Sequence, residues 1–144
     1  MRLYHVTDWV QGTFCVPTAL VAITGKKISE VMEAINKQAE ILGIGPFTQF
    51  EGIPPKCWLK ALPSLGISDN FDEAHKGLTI EELFDSSISL SPILVLTSHK
   101  ELGEGHVFAA FNGHVVDTYT GGKVIKFSEV PTDIKGFKVV AEIF

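Results

Sequence analysis

The chain has 144 residues, 45% hydrophobic and 20% charged, with two cysteines and a net charge of −5. That length suits one α+β-sized core, so a single domain over 1–144 is expected. Arg2 is the one arginine and no Lys/Arg cluster exists to neutralise phosphates, which argues against nucleic acid as a partner. No apolar run reaches the roughly 20 residues needed to span a bilayer, and no basic segment precedes an apolar one as in a signal peptide. A soluble cytoplasmic protein with free thiols is the expectation, with no membrane partner.

In chain order, a short mixed stretch with Asp8, Trp9 and Gln11 leads through Gly12-Thr13-Phe14 to Cys15-Val16-Pro17-Thr18-Ala19-Leu20-Val21-Ala22-Ile23. This run reads as a buried helix. Pro17 suits its first turn, and Gly25 suits the position after its last. Cys15 then stands at a helix N-terminus, where the dipole and unpaired N–H groups favour a thiolate.

Ile28, Val31, Met32, Ile35, Ala39 and Leu42 mark one stripe of an amphipathic helix, with Glu30, Glu33, Asn36 and Lys37 opposite and Ser29 as its cap. Gly and Pro punctuate 43–56, which predicts a long surface loop. Lys56–Leu62 reads as a short helix stopped by Pro63. Thr79 and Glu82 have the spacing of a capping box at the start of another, Thr79–Phe84.

After Pro92 the pattern turns to strands: Ile93–Thr97, about 106–111, about 114–119, Lys123–Phe127 and Phe137–Ile143, with a brief turn at 128–130. Helices first and an antiparallel sheet afterwards predict an α+β fold, with N-terminal helices packed on a C-terminal sheet. Asn112-Gly113 between two apolar runs is the signature of a two-residue hairpin turn. That turn pairs Ala109 with Val116, Phe108 with Asp117 and His106 with Tyr119. His106 and Asp117 become diagonal neighbours, about 7–8 Å apart at the backbone.

An imidazole beside a carboxylate is the supporting half of a nucleophilic triad, and Cys15 is the candidate nucleophile. His106 would be general base and then acid, and Asp117 would orient it. Taken singly, Cys15 reads equally as a small buried hydrophobe and His106 as a satisfied core histidine. Cys57, before Trp58 at another helix start, is a rival nucleophile. His114 is a rival base on the opposite face of the hairpin. Tyr119 lines the site or packs, while His5, His75 and His99 read as solvated. His99 and His106 lack the further ligands of a metal set, and Gly103, Gly105, Gly121 and Gly122 do not form a phosphate cradle, so no metal or cofactor is expected.

Gln11-Gly12-Thr13-Phe14-Cys15-Val16-Pro17-Thr18-Ala19-Leu20, Thr24-Gly25, the helix over 28–42, Gly105-His106-Val107 and Val116-Asp117-Thr118-Tyr119 together resemble the papain-like cysteine peptidases, in particular their small C39-like and phage-encoded members. Residues 43–92 carry none of that resemblance. It implies a papain-like fold, a Cys15–His106–Asp117 triad, and a thiol hydrolase acting on a peptide or isopeptide bond of a protein or peptide substrate. A phage-encoded member would work in the host cytoplasm. The superfamily places an oxyanion-binding Gln six positions before its Cys; here Gln11, four before, is the candidate. The same resemblance admits an acyltransferase or deamidase using this triad. It also admits a catalytically silent scaffold that binds a host partner.

Overall fold

Helix α1, Cys15–Thr24, buries every residue from Val16 to Ala22, so it is enclosed on all sides rather than amphipathic. Gly25 ends it in the left-handed region at φ +72°, donating its N–H to Val21 O at 2.7 Å. Helix α2, Ile28–Leu42, buries Ile28, Val31, Met32, Ile35 and Ala39. Leu42, expected on that stripe, is exposed at the last turn. The cap is not Ser29, which lies inside the helix; Asp8 Oδ2 instead accepts the Ile28 N–H at 2.9 Å from 20 residues upstream. Helix α3, Pro55–Ala61, buries Cys57, Trp58 and Ala61 against α2, and a 3-10 turn at Pro63–Leu65 follows.

The computed structural model describes residues 2–86, 91–98, 105–130, 135 and 137–143. His99 and Gly103 therefore lie outside the described residues. Strands β1 (Phe71–Asp72), β2 (Ile93–Ser98), β3 (Gly105–Phe111), β4 (His114–Val116), β5 (Ile125–Lys126) and β6 (Lys138–Ile143) form one six-stranded antiparallel sheet in the order β1-β6-β2-β3-β4-β5. With the helices preceding it, the fold is α+β. Among the described residues no helix is long and apolar enough to cross a membrane.

The sheet is covered on both faces. Leu94, Val107, Ala109, Val116 and Ile143 join the core built by α1 to α3. Ile93, Val95, Phe108, Ala110, Val115 and Val139 join a second core under α4, Ile80–Ser86. This is why Ile93–Leu96 is apolar without alternation: each successive side chain enters a different core. Helix α4 opens with the expected reciprocal bonds, Thr79 N–H to Glu82 Oε1 and Glu82 N–H to Thr79 Oγ1, both 3.1 Å.

The hairpin has the register its turn dictates, Ala109 opposite Val116 and Phe111 opposite His114, with Asn112 and Gly113 at φ +50° and +74°. Pairing stops at Val116, however. Asp117 caps a 3-10 turn at Thr118–Thr120, so Tyr119 is not the strand partner of His106. The next strand is also shorter than expected, since Phe127 opens a 3-10 turn over Phe127–Glu129.

The N-terminal strap, residues 2–14, holds these parts together. Val6 N–H donates to Gly122 O at 2.7 Å, and Trp9 Nε1 donates to Thr18 Oγ1 on α1 at 3.2 Å. Gly122 has φ +73°, and a Cβ there would lie 2.9 Å from Trp9 Cβ, Trp9 Cγ and Val6 Cβ. Left-handed strain and overpacking then act together, so Gly122→Ala is expected to destabilise the protein by about 2–4 kcal/mol. The check is a lower urea midpoint with the denaturant slope unchanged.

Candidate active site

Three chain segments meet at one end of the hairpin: the start of α1, the start of β3 and the turn after β4. Asp117 is buried, and its conformation is fixed from both sides. Its Oδ1 accepts the Thr118 N–H at 2.7 Å and the Thr118 hydroxyl at 3.3 Å. Its own N–H donates to Thr120 Oγ1 at 3.2 Å, while the Thr120 hydroxyl donates to Asp117 O at 2.9 Å. A carboxylate held this way cannot turn to follow the histidine. The histidine must come to it.

His106 does so. Its Nε2–H donates to Asp117 with both carboxylate oxygens at 2.8 Å. The ring is 15% exposed and is flanked edge-on by Tyr119, with centroids 5.8 Å apart, and by Phe137 at 6.3 Å. Tyr119 thus reaches the site from the 3-10 turn rather than from the strand. Burial on its own lowers the imidazole pKa. The hydrogen bonds to Asp117 and Cys15, with the negative charge of both, outweigh that cost and hold it at about 10. With Nε2 committed to the aspartate, Nδ1 is the ring nitrogen left for the sulfur.

Cys15 is half-buried at the first position of α1. Phe14 precedes it and supplies no side-chain cap, and the first backbone N–H groups of a helix have no carbonyl of their own helix to reach. The sulfur therefore sits beside the protonated imidazole of His106. The sequence-predicted trio Cys15, His106 and Asp117 is brought together here, with the imidazole bonded to the carboxylate and under the influence of the sulfur.

The other candidates lie elsewhere. Cys57 is fully buried, its thiol donates to Ile35 O at 3.4 Å, and burial pushes its pKa up. His114 points its Nδ1 to Asn112 O at 2.8 Å, within the turn at the far end of the hairpin. Two histidines expected to be solvated are engaged: His5 Nδ1 accepts the Val124 N–H at 3.1 Å, and His75 Nδ1 meets the buried carboxylate of Glu142. Gln11 lies in an exposed turn. A second amide, Gln49 from the loop over 43–54, donates to Thr13 Oγ1 at 3.1 Å, and Gln49 O accepts the Phe14 N–H at 2.8 Å. No sequence signal connects Gln49 with Cys15, because the pairing runs through loop backbone 34 to 36 residues away. Among the described residues, no three His, Cys, Asp or Glu side chains gather as a metal site.

Neither family models, nor curated proteins, nor solved structures give a match to this chain.

The dyad sets a pH signature. Folding raises the His106 pKa from 6.5 to about 10, so between those values the folded state holds a proton that the unfolded chain has lost. Stability from this group is complete below pH 6.5 and disappears as pH climbs through 10. Denaturant midpoints measured from pH 6 to 10 in Cys15→Ala, where no sulfur exchanges its proton with the ring, are expected to fall, and to fall less when Asp117→Asn is added.

Proposed function

We propose that the protein is a thiol hydrolase of papain-like design that attacks a peptide or isopeptide bond through Cys15, His106 and Asp117. The observation that carries this reading is the imidazole itself, bonded through one ring nitrogen to a fixed, buried carboxylate and near enough to the sulfur of a helix-initiating cysteine to be charged by it. A histidine paired only with a structural carboxylate has no need of a sulfur at its other nitrogen. A cysteine serving only as core filler is buried in apolar surroundings, as Cys57 is.

In this mechanism the Cys15 sulfur, its proton resting on His106, adds to the carbonyl carbon. Negative charge passes to the carbonyl oxygen, where the backbone N–H of Cys15 is the first available donor. Gln11 and Gln49 are the two candidate side-chain amides for the second. His106 then protonates the departing amine, the C–N bond breaks, and a thioester to Cys15 remains. A water attacks the thioester and gives one proton to His106; the C–S bond breaks, the acid leaves, and the Cys15 thiolate is restored beside the imidazolium. Asp117 holds the ring in place and stabilises the imidazolium in both halves. An amine in place of that water gives acyl transfer, and a side-chain carboxamide as substrate gives deamidation. The triad serves all three.

Alkylation by iodoacetamide, read by peptide mass spectrometry, tests the site without a known substrate. Cys15 is expected to react well below pH 8.5, the usual pKa of a free thiol, while buried Cys57 stays unmodified. His106→Ala is expected to slow the reaction of Cys15 at pH 6 on the order of 100-fold. A Cys15 that reacts only at alkaline pH, identically in both proteins, overturns the reading.

A further inference from the structure

Thr18 is the only polar side chain among the buried residues Val16–Ala22 of α1, at a place that valine would fill with the same volume. A buried hydroxyl needs partners, and this one has two. Its oxygen accepts the Trp9 Nε1–H at 3.2 Å, and its O–H donates to Phe14 O at 2.8 Å. The Thr18 backbone N–H reaches the same carbonyl only at 3.3 Å, and Pro17 has no N–H to offer it. The hydroxyl is therefore the closer hold on Phe14 O.

That carbonyl belongs to the peptide that carries the Cys15 N–H. In a trans peptide the C=O and N–H lie in one plane and point in opposite directions. Drawing Phe14 O into α1 thus turns the Cys15 N–H out of the helix, where a first-turn N–H has no carbonyl of its own helix to reach. The preceding peptide is held as well, for Phe14 N–H donates to Gln49 O at 2.8 Å. Gln49 is anchored in turn through Nε2 on Thr13 Oγ1. Two residues before it, Asn36 on α2 donates Nδ2–H to Phe47 O at 2.9 Å and accepts the Phe47 N–H at 2.8 Å. Both peptide groups of Phe14 are therefore fixed.

We propose that Thr18 is a positioning residue whose hydroxyl sets the plane of the Phe14–Cys15 peptide and so aims the Cys15 N–H at the oxygen of an acyl group on the sulfur. This rests on the proposed thiol chemistry and adds the side chain that directs its oxyanion donor. Thr18 acts through the peptide and not on the substrate. A donor already aimed needs no reorientation as charge develops on the oxygen, whereas a peptide free to rock meets that charge off line.

The test compares two reagents on the full chain at pH 9, where an accessible thiol reacts whether or not His106 assists it. With p-nitrophenyl acetate the Cys15 thiolate adds to the carbonyl carbon, charge gathers on the oxygen, the C–O bond breaks, and p-nitrophenolate leaves an acetyl thioester. With iodoacetamide the sulfur displaces iodide from a saturated carbon, and no oxyanion forms. Cys15→Ala gives the background for both. The acylation-to-alkylation ratio, divided by that of glutathione, is expected to be about ten or more in the wild type. Thr18→Val keeps the volume and loses the hydroxyl, and is expected to lower the ratio about tenfold by slowing acylation alone. Thr18→Ser keeps the hydroxyl, and is expected to stay within about twofold of the wild type. Cys57 left unmodified shows an intact core; where Thr18→Val exposes it, Thr18→Ala, with room for a water at the Trp9 N–H, takes its place. A wild-type ratio near one overturns the proposal even if Cys15 is highly reactive at pH 6, so the peptide and the triad fail separately. An unchanged ratio without the hydroxyl overturns it too. Thr18→Ser as slow as Thr18→Val assigns Thr18 to packing and has the same consequence.

Discussion

The two-residue turn at Asn112-Gly113 constrains everything at the other end of the hairpin. Both turn residues occupy the left-handed region, which fixes the register with Ala109 opposite Val116. One residue of slip would carry Asp117 to the opposite face from His106, as side chains alternate strictly along a strand. The apolar pattern guards against it. Val107, Ala109 and Val116 enter the helical core, while Phe108, Ala110 and Val115 enter the core under α4. Because both faces are buried, a shifted register would disrupt two cores at once. The dyad thus inherits its geometry from packing some distance away.

That dependence explains which features could be read from residues alone. The hairpin, α2 and the Thr79–Glu82 cap depend on contacts within a few positions, and such contacts leave a local signature. Cys15, His106 and Asp117 were legible for the same reason, since a helix start and a hairpin end each have local signs. Asp8 and Trp9 were not. Asp8 caps a helix 20 residues on, and Trp9 spans from Thr18 to Gly122, and neither link has a sequence period. His75 misleads in the same way, for a polar stretch gives no hint that Glu142 waits on β6, the second strand from the edge of the sheet. Strand β1 has only two residues and no alternation to detect.

The strap also changes how Cys15 should be regarded. A helix start is a loose place for a side chain unless the chain before it is held. Here Thr13 is buried, its N–H and hydroxyl both reach Val10 O, and Phe14 is bonded to the loop through Gln49. On its other side the strap lies on the turn that contains Asp117, through Val6 and Trp9 against Gly122. Cys15 and Asp117 are therefore tied to one short segment, although they lie 102 positions apart in the chain.

Such a tie has an electrostatic consequence. The Asp117 carboxylate is buried, and a buried carboxylate is tolerable only with hydrogen-bond donors or a positive charge beside it. Thr118 supplies two donors, and His106 supplies the charge through a proton that it keeps to about pH 10. The imidazolium is thus a structural requirement of Asp117 as much as a chemical one for Cys15. If the strap let Asp117 drift away, burial would drive the imidazole toward its neutral form, and the sulfur would lose its charge partner. The same carboxylate that secures the turn at Thr118–Thr120 therefore sets the protonation state on which the proposed reaction at Cys15 depends.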